Sequence, residues 1–457
     1  MINRKTERFL WITLLVTILV IFTLTVQRTC RVRAEGDIYG NLRIFNTVLN
    51  YIRNEYVEKK DPETLIFGAI DGMLATLNDP YTKFLRKKDF NEMQVETSGK
   101  FGGLGIYITI QSDKLIIEAP ISGTPASRAG LKPYDEILTI DGQSTKGITI
   151  DDAVSKLRGK VGTKVVLTIQ REGFKEPLEF TLIRDEIKIK SVVADVIKDK
   201  NYAYIRIKQF GEETTADLEK ILSEYENKNI KGIILDLRSN PGGLLITAWK
   251  VADLFFDDGM IVYTKGRLPE HEQEFKATMG SYCKNKQIVV LIDKGTASAA
   301  EIVTGALKDR KRAIIIGQKS FGKGVVQTVK PIGDGMALSF TTAKYYTPSG
   351  VCIHQTGIEP DIKVDVPEPT EDEIRNAKKL WESGKVQDFV KKHPSFSDDD
   401  INNFKKELEN NGIFLSQKII RRIVMAESYR NDEIIYDLYD DPVLIKAIET
   451  LDNINRK

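Results

Sequence analysis

The sequence predicts a multidomain chain that combines α+β and α/β domains. Its 457 residues exceed the usual size of a single domain. Between residues 187 and 366, strand and helix patterns alternate, which predicts a largely parallel α/β sheet. Between residues 92 and 186, alternating apolar and polar residues predict short strands and hairpins. Helical spacing dominates residues 36–91 and 367–457, so we expect helical regions on either side of the two β-rich domains.

Residues 1–35 are predicted to form a cytoplasmic stub and a membrane anchor. Residues 9–26, "FLWITLLVTILVIFTLTV", contain no charge, Pro or Gly and reach the lower limit of a membrane span. Basic residues before this run favour a cytoplasmic N-terminus, although arginines after it weaken that signal. A cleaved signal peptide is the alternative, but no A-x-A cleavage pattern follows the run. We therefore expect a single-pass protein of the cell membrane with an extracytoplasmic body.

Composition excludes several classes of partner and cofactor. A net charge of +2 gives no electrostatic reason to expect nucleic-acid binding. The cysteines and histidines show no zinc-binding spacing, so we expect neither a metal nor a cofactor. The cysteine count leaves open a disulfide between Cys283 and Cys352 in an oxidising compartment.

The two helical regions are predicted to pack on other parts of the protein. In residues 36–91, Asp61 and Pro62 form a helix start, followed by an apolar stripe. This unit is too small for a core of its own, so it should pack on another domain or on a second copy of itself. Residues 367–457 follow the linker "VPEPTEDE" and are predicted to form a helical packing or dimerisation region. We expect a homodimer.

Two glycine-bearing motifs define the region from residue 92 to residue 186. "FGGLGI" (101–106) precedes a strand, and "AGLKPYDEILTIDG" (129–142) combines a helix end, a turn and a second strand. The glycine turn would present backbone N–H groups to a terminal carboxylate, and the strand after it would accept an extended peptide. A small β domain whose glycine turn binds nothing is the alternative. Together the motifs resemble a PDZ domain, and we call residues 92–186 the PDZ segment. The resemblance implies peptide binding at Gly102, Gly103, Leu104, Gly105 and Ile106.

Ser298 is the first candidate for a catalytic residue. In "DKGTASAAEIVTGALKD" (293–309) it lies where a buried strand gives way to a helix. The first N–H groups of a helix are unpaired, and that of Ala299 could donate to a carbonyl oxygen that becomes an oxyanion. An ordinary helix N-cap explains Ser298 equally well from this stretch alone.

A glycine turn after another buried strand is a candidate second oxyanion donor. In "DLRSNPGGLL" (236–245), Gly242 and Gly243 would let the backbone approach a ligand closely because neither has a side chain. The alternative is a tight strand–helix turn with no ligand.

Lys323 is the candidate base, although its loop first suggests a nucleotide site. "GQKSFGKG" (317–324) has the spacing of a phosphate-binding loop, but Gly324 replaces the required Ser or Thr and a strand pattern follows. Burial away from water favours the neutral amine of a lysine, which can then take a proton from serine. Gln327 could orient that amine through its side-chain carbonyl. A plain surface lysine is the alternative.

With these residues identified, the sequence resembles the C-terminal processing peptidases, which are tail-specific serine proteases that contain a PDZ domain. The resemblance covers residues 36–365, and Lys323 follows Ser298 by 25 positions while Gln327 follows Lys323 by 4, as in that family. Further shared motifs are "GAIDGMLATLNDPYTKFL", "LDLRSNPGGLL", "GTASAAEI", "GQKSFGKGVVQ" and "GIEPDI". The fold implied for residues 187–366 is a crotonase-like α/β protease core.

The resemblance also implies a role for each candidate residue. Ser298 would be the nucleophile, Lys323 the general base and Gln327 its orienting partner. The oxyanion donors would be Ala299 and either Gly242 or Gly243. In the PDZ segment, Arg158 of "LRGKVG" would couple peptide capture to alignment of the active site.

The predicted function is therefore that of a serine endopeptidase that recognises and cleaves C-terminal regions of extracytoplasmic proteins and is gated by its PDZ domain. Its partners would be protein substrates with accessible C-terminal tails. The main alternative is a membrane-anchored PDZ adaptor that binds tails without cleaving them. An acyl-CoA-handling enzyme is a second alternative, since that superfamily shares oxyanion turns on related α/β layers.

Overall fold

A computed structural model gives the structure of most of the chain. The described residues are Thr13, Thr17, 38–111, 113–197, 199–428, 436–438 and 440–456. No helix within these ranges is long and apolar enough to cross a membrane. The predicted anchor at residues 9–26 lies, apart from Thr13 and Thr17, outside them.

The chain divides into two compact units between Phe84 and Leu85. The helices of the first unit are α1 (Ile38–Glu55) and α2 (Pro62–Ala75), and strand β1 (Lys83–Leu85) follows them. The predicted start of α2 is confirmed, because the Asp61 carboxylate accepts a 3.1 Å hydrogen bond from the Thr64 N–H. Every side chain of α1 and α2 is at least partly exposed, as expected of a unit without its own core.

The PDZ segment forms a sheet with two short helices. Its elements and those beside it are α3 (Lys87–Ser98), β2 (Lys100–Gly103), β3 (Ile106–Gln111), β4 (Lys114–Pro120), α4 (Pro125–Arg128), β5 (Glu136–Ile140), β6 (Gln143–Ser144), α5 (Ile150–Leu157), β7 (Lys164–Gln170), β8 (Leu178–Ile183) and β9 (Asp185–Lys188). The strand order is β3–β4–β5–β7–β8, with β3 at an edge, over a buried apolar core. β2 pairs with β9 outside this sheet, and helix α3 crosses the predicted boundary at residue 91.

Two sheets build the region from residue 187 to residue 366. The elements are β10 (Val192–Ile197), β11 (Tyr202–Ile207), α6 (Thr214–Glu226), β12 (Gly232–Asp236), α7 (Leu245–Asp253), β13 (Met260–Gly266), a 3₁₀ turn (Pro269–His271), β14 (Gln273–Lys276), β15 (Gln287–Ile292), α8 (Ala299–Asp309), β16 (Ile314–Gly317), β17 (Val325–Gly333), β18 (Met336–Tyr346) and β19 (Ile362–Lys363). The first sheet has the order β10–β11–β12–β15–β16–β19 and is parallel from β11 to β19, which confirms the largely parallel prediction. The second sheet contains β13, β14, β17 and β18, is antiparallel and was not predicted.

Three turns leave the same edge of the parallel sheet. We call residues 239–243 after β12 the glycine turn, residues 293–298 after β15 the serine turn, and residues 318–324 after β16 the lysine loop. Because parallel strands end at one edge, these turns meet there, as predicted. The lysine loop then leads into β17, so it also connects the two sheets.

The C-terminal region is helical and divides into two parts. Helices α9 (Glu371–Glu382), α10 (Lys385–Lys392), α11 (Asp398–Asn410) and α12 (Gln417–Ser428) enclose an apolar core of their own. Helix α13 (Pro442–Asn455) instead packs on the parallel sheet. The sheet is thus covered on both faces, with α6, α7 and α8 on the other side, which explains its continuously apolar strands. Cys283 and Cys352 are free thiols, so the disulfide that the sequence left open does not form.

Candidate active site

Ser298 lies at the junction between the serine turn and helix α8. It occupies the N-cap position, but its backbone has φ 55° and ψ −117°. An ordinary N-cap residue is extended, and a positive φ is costly for a residue with a side chain. A simple cap would not require this conformation, whereas strained backbones of this kind are concentrated at functional sites.

The buried carboxylate of Glu301 joins the serine turn to the lysine loop. Glu301 lies one turn into α8 and is completely buried. One of its oxygens accepts the N–H groups of Ser298 and Lys323, each at 2.9 Å. The other accepts the Ser320 hydroxyl at 2.5 Å and the Gly322 N–H at 2.8 Å. The two segments that carry the candidate nucleophile and base therefore belong to one hydrogen-bonded unit.

Opposing effects set the protonation of Glu301. Burial raises the pKa of this carboxyl above its ordinary value, because the charged form loses its solvation. Hydrogen bonds from Ser320, Gly322, Lys323 and Ser298 favour the charged form and oppose that rise. The four donors are thus what allows a carboxylate to remain in the interior.

A tyrosine hydroxyl forms a second link between the same two segments. Tyr345 lies on β18 and is almost fully buried. Its hydroxyl lies 3.0 Å from the carbonyl oxygen of Ser298 and also donates to the carbonyl oxygen of Lys323. Glu301 therefore accepts from the N–H groups of both residues, and the single Tyr345 hydroxyl is shared between their carbonyl oxygens.

The glycine turn fits tightly against the serine turn. A Cβ on Gly242, where φ is +107°, would lie 2.7 Å from the Ser298 Cβ, and one on Gly243 would lie 2.2 Å from the Phe210 carbonyl oxygen. Only glycine allows these approaches. The Gly242 N–H is already bound, since it donates at 2.9 Å to the side-chain oxygen of buried Asn240.

Two backbone amides at this edge are candidate donors to a ligand. Across the described part of the chain, no acceptor bonds the N–H of Gly243 or that of Ala299. Gly243 is exposed, while Ala299 is the first residue of α8. Of the two predicted glycine donors, Gly243 is therefore the better placed.

Gln327 lies at an irregularity in strand β17. Val326 pairs with Ala343 on β18, but Gln327 pairs with Thr341, so the register shifts between them. Such a bulge redirects the side chain that follows it. The Gln327 amide nitrogen donates to the Thr341 hydroxyl at 3.1 Å, which leaves the side-chain carbonyl to act elsewhere. Lys323, four residues earlier, is half-buried.

The predicted peptide-binding residues lie in two different elements. Gly102 and Gly103 belong to β2, and a Cβ on Gly102 would lie 2.1 Å from the Gly159 carbonyl oxygen. Leu104 is buried and Gly105 has φ +72°. Ile106 begins β3, whose outer edge is unpaired within the sheet. The edge strand expected of a peptide-binding groove is therefore present.

Arg158 lies in a cleft between the PDZ segment and the core. It follows the last residue of α5, and its guanidinium carbon lies 4.3 Å from the centre of the Phe101 ring. The same cleft is lined by Leu244, which directly follows the glycine turn, and by Val329 of β17. Arg158 thus shares one cleft with Gly102, a predicted peptide-binding residue, and with Leu244 beside the glycine turn.

Sequence reasoning missed Glu301 and Tyr345. The spacing of Ser298 and Glu301 is that of a capping box, in which the acid binds the N–H of the cap residue, so Glu301 could have been found. Tyr345 had no such signal, because its role depends on how the second sheet packs on the first.

Comparison with known proteins agrees with this arrangement. Residues 201–364 match peptidase family S41, residues 116–171 match a PDZ domain, and residues 25–89 match the N-terminal domain of the activating protease CtpB. A carboxy-terminal-processing protease of Bartonella bacilliformis is 44% identical over 339 residues, which cover 73% of this chain and 77% of that protein.

Two further relatives extend the comparison. The carboxy-terminal processing protease CtpA of Bacillus subtilis is 34% identical over 431 residues, or 89% of each protein. A solved structure of a photosystem II D1 C-terminal processing protease is 30% identical, covers 70% of this chain and 86% of its own, and has a TM-score of 0.42. The chain belongs to the carboxy-terminal processing proteases, which are serine-type peptidases of family S41 with a PDZ domain.

Proposed function

We propose that this protein is a membrane-anchored endopeptidase that cleaves the C-terminal regions of extracytoplasmic proteins with a Ser298–Lys323 dyad. The observation that carries the proposal is the shared Glu301 carboxylate, which binds the N–H groups of both residues. The strained backbone of Ser298 supports it, since a serine that only capped α8 would be extended. Membership of a serine peptidase family supplies the reaction class.

In the first step, the neutral amine of Lys323 takes the proton of the Ser298 hydroxyl while Oγ attacks the scissile carbonyl carbon. A free lysine amine has a pKa of about 10.4, so the dyad requires surroundings that disfavour the ammonium form. A bound substrate would exclude water from this half-buried lysine. Gln327, whose amide nitrogen is held by Thr341, would direct its carbonyl oxygen to the amine.

The backbone amides would stabilise the charge that develops on the substrate oxygen. The N–H groups of Ala299 and Gly243 are the donors, since that of Gly242 is bound to Asn240. As the tetrahedral intermediate collapses, the C–N bond breaks and the Lys323 ammonium gives its proton to the leaving amine. Water then attacks the ester on Ser298, Lys323 takes the water proton, and that proton returns to Oγ as the acid product leaves.

The PDZ segment would select the substrate and gate the reaction. An extended tail would add to the free edge of β3, with its carboxylate at residues 102–106. Arg158 lines the same cleft as Leu244 and would couple this binding to the position of the glycine turn. A tail peptide that cannot itself be cleaved should then accelerate hydrolysis of a second substrate. Failure of every peptide that binds the PDZ segment to accelerate hydrolysis would contradict the gating.

Replacing each dyad residue tests the catalytic proposal. Ser298→Ala and Lys323→Ala should abolish hydrolysis of an unfolded protein substrate while leaving tail-peptide binding unchanged. Lys319→Ala is the matched control, because Lys319 lies in the same loop but forms an exposed ion pair with Glu359. If wild type and Ser298→Ala both bind tails and neither hydrolyses any substrate, the protein is a PDZ adaptor and the proposal of a catalytic dyad is wrong. Family membership already argues against acyl-CoA chemistry.

The anchor and the dimer are part of the same proposal. Residues 9–26 would hold the protein in the cell membrane with the peptidase outside, on the evidence of their apolar run. The full-length protein should therefore fractionate with membranes and be degraded by protease added to intact cells. The exposed apolar side chains of α1 would pair with a second copy, so removal of residues 38–55 should convert a dimer to a monomer in light scattering.

A further inference from the structure

The last helix of the chain is built into the sheet that carries the candidate active site. Its inward side chains, Val443, Leu444, Ala447 and Leu451, are almost fully buried. They share one apolar cluster with β12, β15 and β16, the three strands that lead into the glycine turn, the serine turn and the lysine loop. Helix α13 lies beyond residues 201–364, the part that matches the S41 family.

One ion pair connects the N-terminus of this helix to the start of the glycine turn. The Arg238 guanidinium donates to the Asp441 carboxylate at 2.8 Å through Nη1 and lies 2.7 Å from it through Nη2. The same carboxylate accepts the N–H groups of Val443 and Leu444 at 3.1 and 3.0 Å, so Asp441 also caps α13.

On its other side, Arg238 is bound to a buried carboxylate. Asp236, the fully buried last residue of β12, accepts Nε at 3.0 Å and Nη2 at 2.6 Å. The Tyr204 hydroxyl donates to Asp236 at 2.6 Å. Arg238 is therefore fixed between two carboxylates. Its own backbone continues directly into Ser239 and the glycine turn. The side chain therefore helps to fix where that turn begins, together with Asp293, whose carboxylate accepts the Ser239 N–H at 2.8 Å.

We propose that Asp441 is a positioning residue for peptide hydrolysis. By holding the Arg238 side chain, it helps to fix the position of the glycine turn. The inference rests on the proposed role of the Gly243 N–H as an oxyanion donor. Asp236 binds the Arg238 guanidinium from the side of β12, and Asp441 binds it from the side of α13. Without Asp441, the guanidinium could turn away from the sheet. Loss of that second contact lets the start of the turn shift, and a displaced donor weakens transition-state binding more than substrate binding.

Asp441→Asn is the informative variant. Asparagine is as good an N-cap as aspartate, so the helix start is retained. Its amide nitrogen, however, cannot accept a hydrogen bond and would oppose the Arg238 donors. Asp441→Glu retains the charge and should recover part of the lost rate. Asp452→Asn is the matched control, because Asp452 ties the other end of α13 to Lys200 and Tyr202 at 2.7 and 2.8 Å.

The full-length protein is assayed with a peptide substrate, a peptide boronate that mimics the tetrahedral intermediate, and a tail peptide. We expect Asp441→Asn to lower kcat by about tenfold to a hundredfold, as displacements near 1 Å do. KM and tail-peptide affinity should stay unchanged, and boronate affinity should fall by the same factor as kcat. Asp452→Asn should lower Tm by about as much as Asp441→Asn does, but it should leave kcat unchanged.

Two outcomes would overturn the proposal. If Asp441→Asn lowers kcat no more than Asp452→Asn, or if KM and tail binding change while boronate affinity does not, Asp441 is only structural. Failure of the proposed function is distinguishable, because Ser298→Ala would then hydrolyse peptide as fast as wild type. An inactive Ser298→Ala together with an unaffected Asp441→Asn rejects this inference alone.

Discussion

Replacing Glu301 by glutamine would test whether one buried carboxylate holds the active site together. Both oxygens of Glu301 accept two hydrogen bonds each. In glutamine the oxygen can still accept two, but the amide nitrogen accepts none. If the nitrogen faces Ser298 and Lys323, the backbone N–H groups of both residues lose their acceptor. If it faces Ser320 and Gly322, the lysine loop loses two of its three contacts with this side chain.

The size of the effect follows from this count. Two buried or partly buried donors lose their acceptor in either orientation, and each costs about 1–3 kcal/mol. Glu301→Gln should therefore lower the free energy of unfolding by about 2–6 kcal/mol, a large share of a typical total of about 5–15 kcal/mol. Because the loss falls on the segments that carry the proposed nucleophile and base, kcat should drop by about a hundredfold or more.

The assay separates the loss of stability from the loss of rate. Urea unfolding gives the free energy, and peptide hydrolysis is measured at a temperature at which every variant is folded. Glu427→Gln is the matched control: Glu427 is equally a buried carboxylate and accepts the Tyr134 hydroxyl at 2.6 Å, but it belongs to helix α12. Its amide oxygen can still accept that hydrogen bond, so this variant should lose little stability and keep kcat. If folded Glu301→Gln hydrolyses peptide at the wild-type rate, Glu301 does not position the dyad.

Three further predictions concern neighbouring residues. Tyr345→Phe removes only the hydroxyl that bonds the carbonyl groups of the two site segments, and it should lower kcat about tenfold with little change in KM, measured by steady-state hydrolysis. Gly242→Ala would place a methyl group 2.7 Å from the Ser298 Cβ and should abolish labelling of that serine by a fluorophosphonate probe, while a normal rate of labelling would contradict the tight fit. Burial alone would raise the pKa of Asp236, but the Arg238 charge and hydrogen bonds from Arg238 and Tyr204 lower it overall. The ionised Asp236 therefore stabilises the fold above the ordinary Asp pKa of about 3.9, and this contribution is lost as pH falls through the lower folded value. The Tm of the wild type should accordingly fall more steeply than that of Asp236→Asn below about pH 4 in a calorimetric titration.

The parallel sheet and its turns could be predicted because their signals are local. Continuous apolar runs at 232–238, 287–293 and 312–317 require strands covered on both faces, and the turn after each run contains glycine. Parallel strands then force the three turns to one edge. The N-terminal cap at Asp61 and the strand after Lys323 were predictable for the same reason.

The contacts that fix the site were not predictable, because they join elements distant in the sequence. Tyr345 reaches the serine turn only because β17 and β18 form a second, antiparallel sheet, and the strand–helix alternation gave no indication of it. The pairing of Arg238 with Asp441 spans about two hundred residues. The C-terminal region was expected to pack or to dimerise, but the sequence did not indicate that α13 covers one face of the parallel sheet.

The links between the serine turn and the lysine loop limit how a PDZ domain could switch this site. They are the Glu301 carboxylate, the Tyr345 hydroxyl and a direct backbone hydrogen bond of 3.0 Å from the Phe321 N–H to the Thr296 carbonyl. Separating Ser298 from Lys323 would break hydrogen bonds of a fully buried carboxylate and of a buried tyrosine, which costs several contacts at once. The glycine turn is instead accessible from the cleft that contains Arg158, because Gly243 is exposed and Leu244 lines that cleft. Its contacts there are with Phe210, whose N–H donates to the Gly242 carbonyl and whose carbonyl accepts the Leu244 N–H, each at 2.8 Å. A tail bound to the PDZ segment should therefore act on the position of the Gly243 N–H or on the Lys323 side chain, and leave the two backbones of the dyad in place.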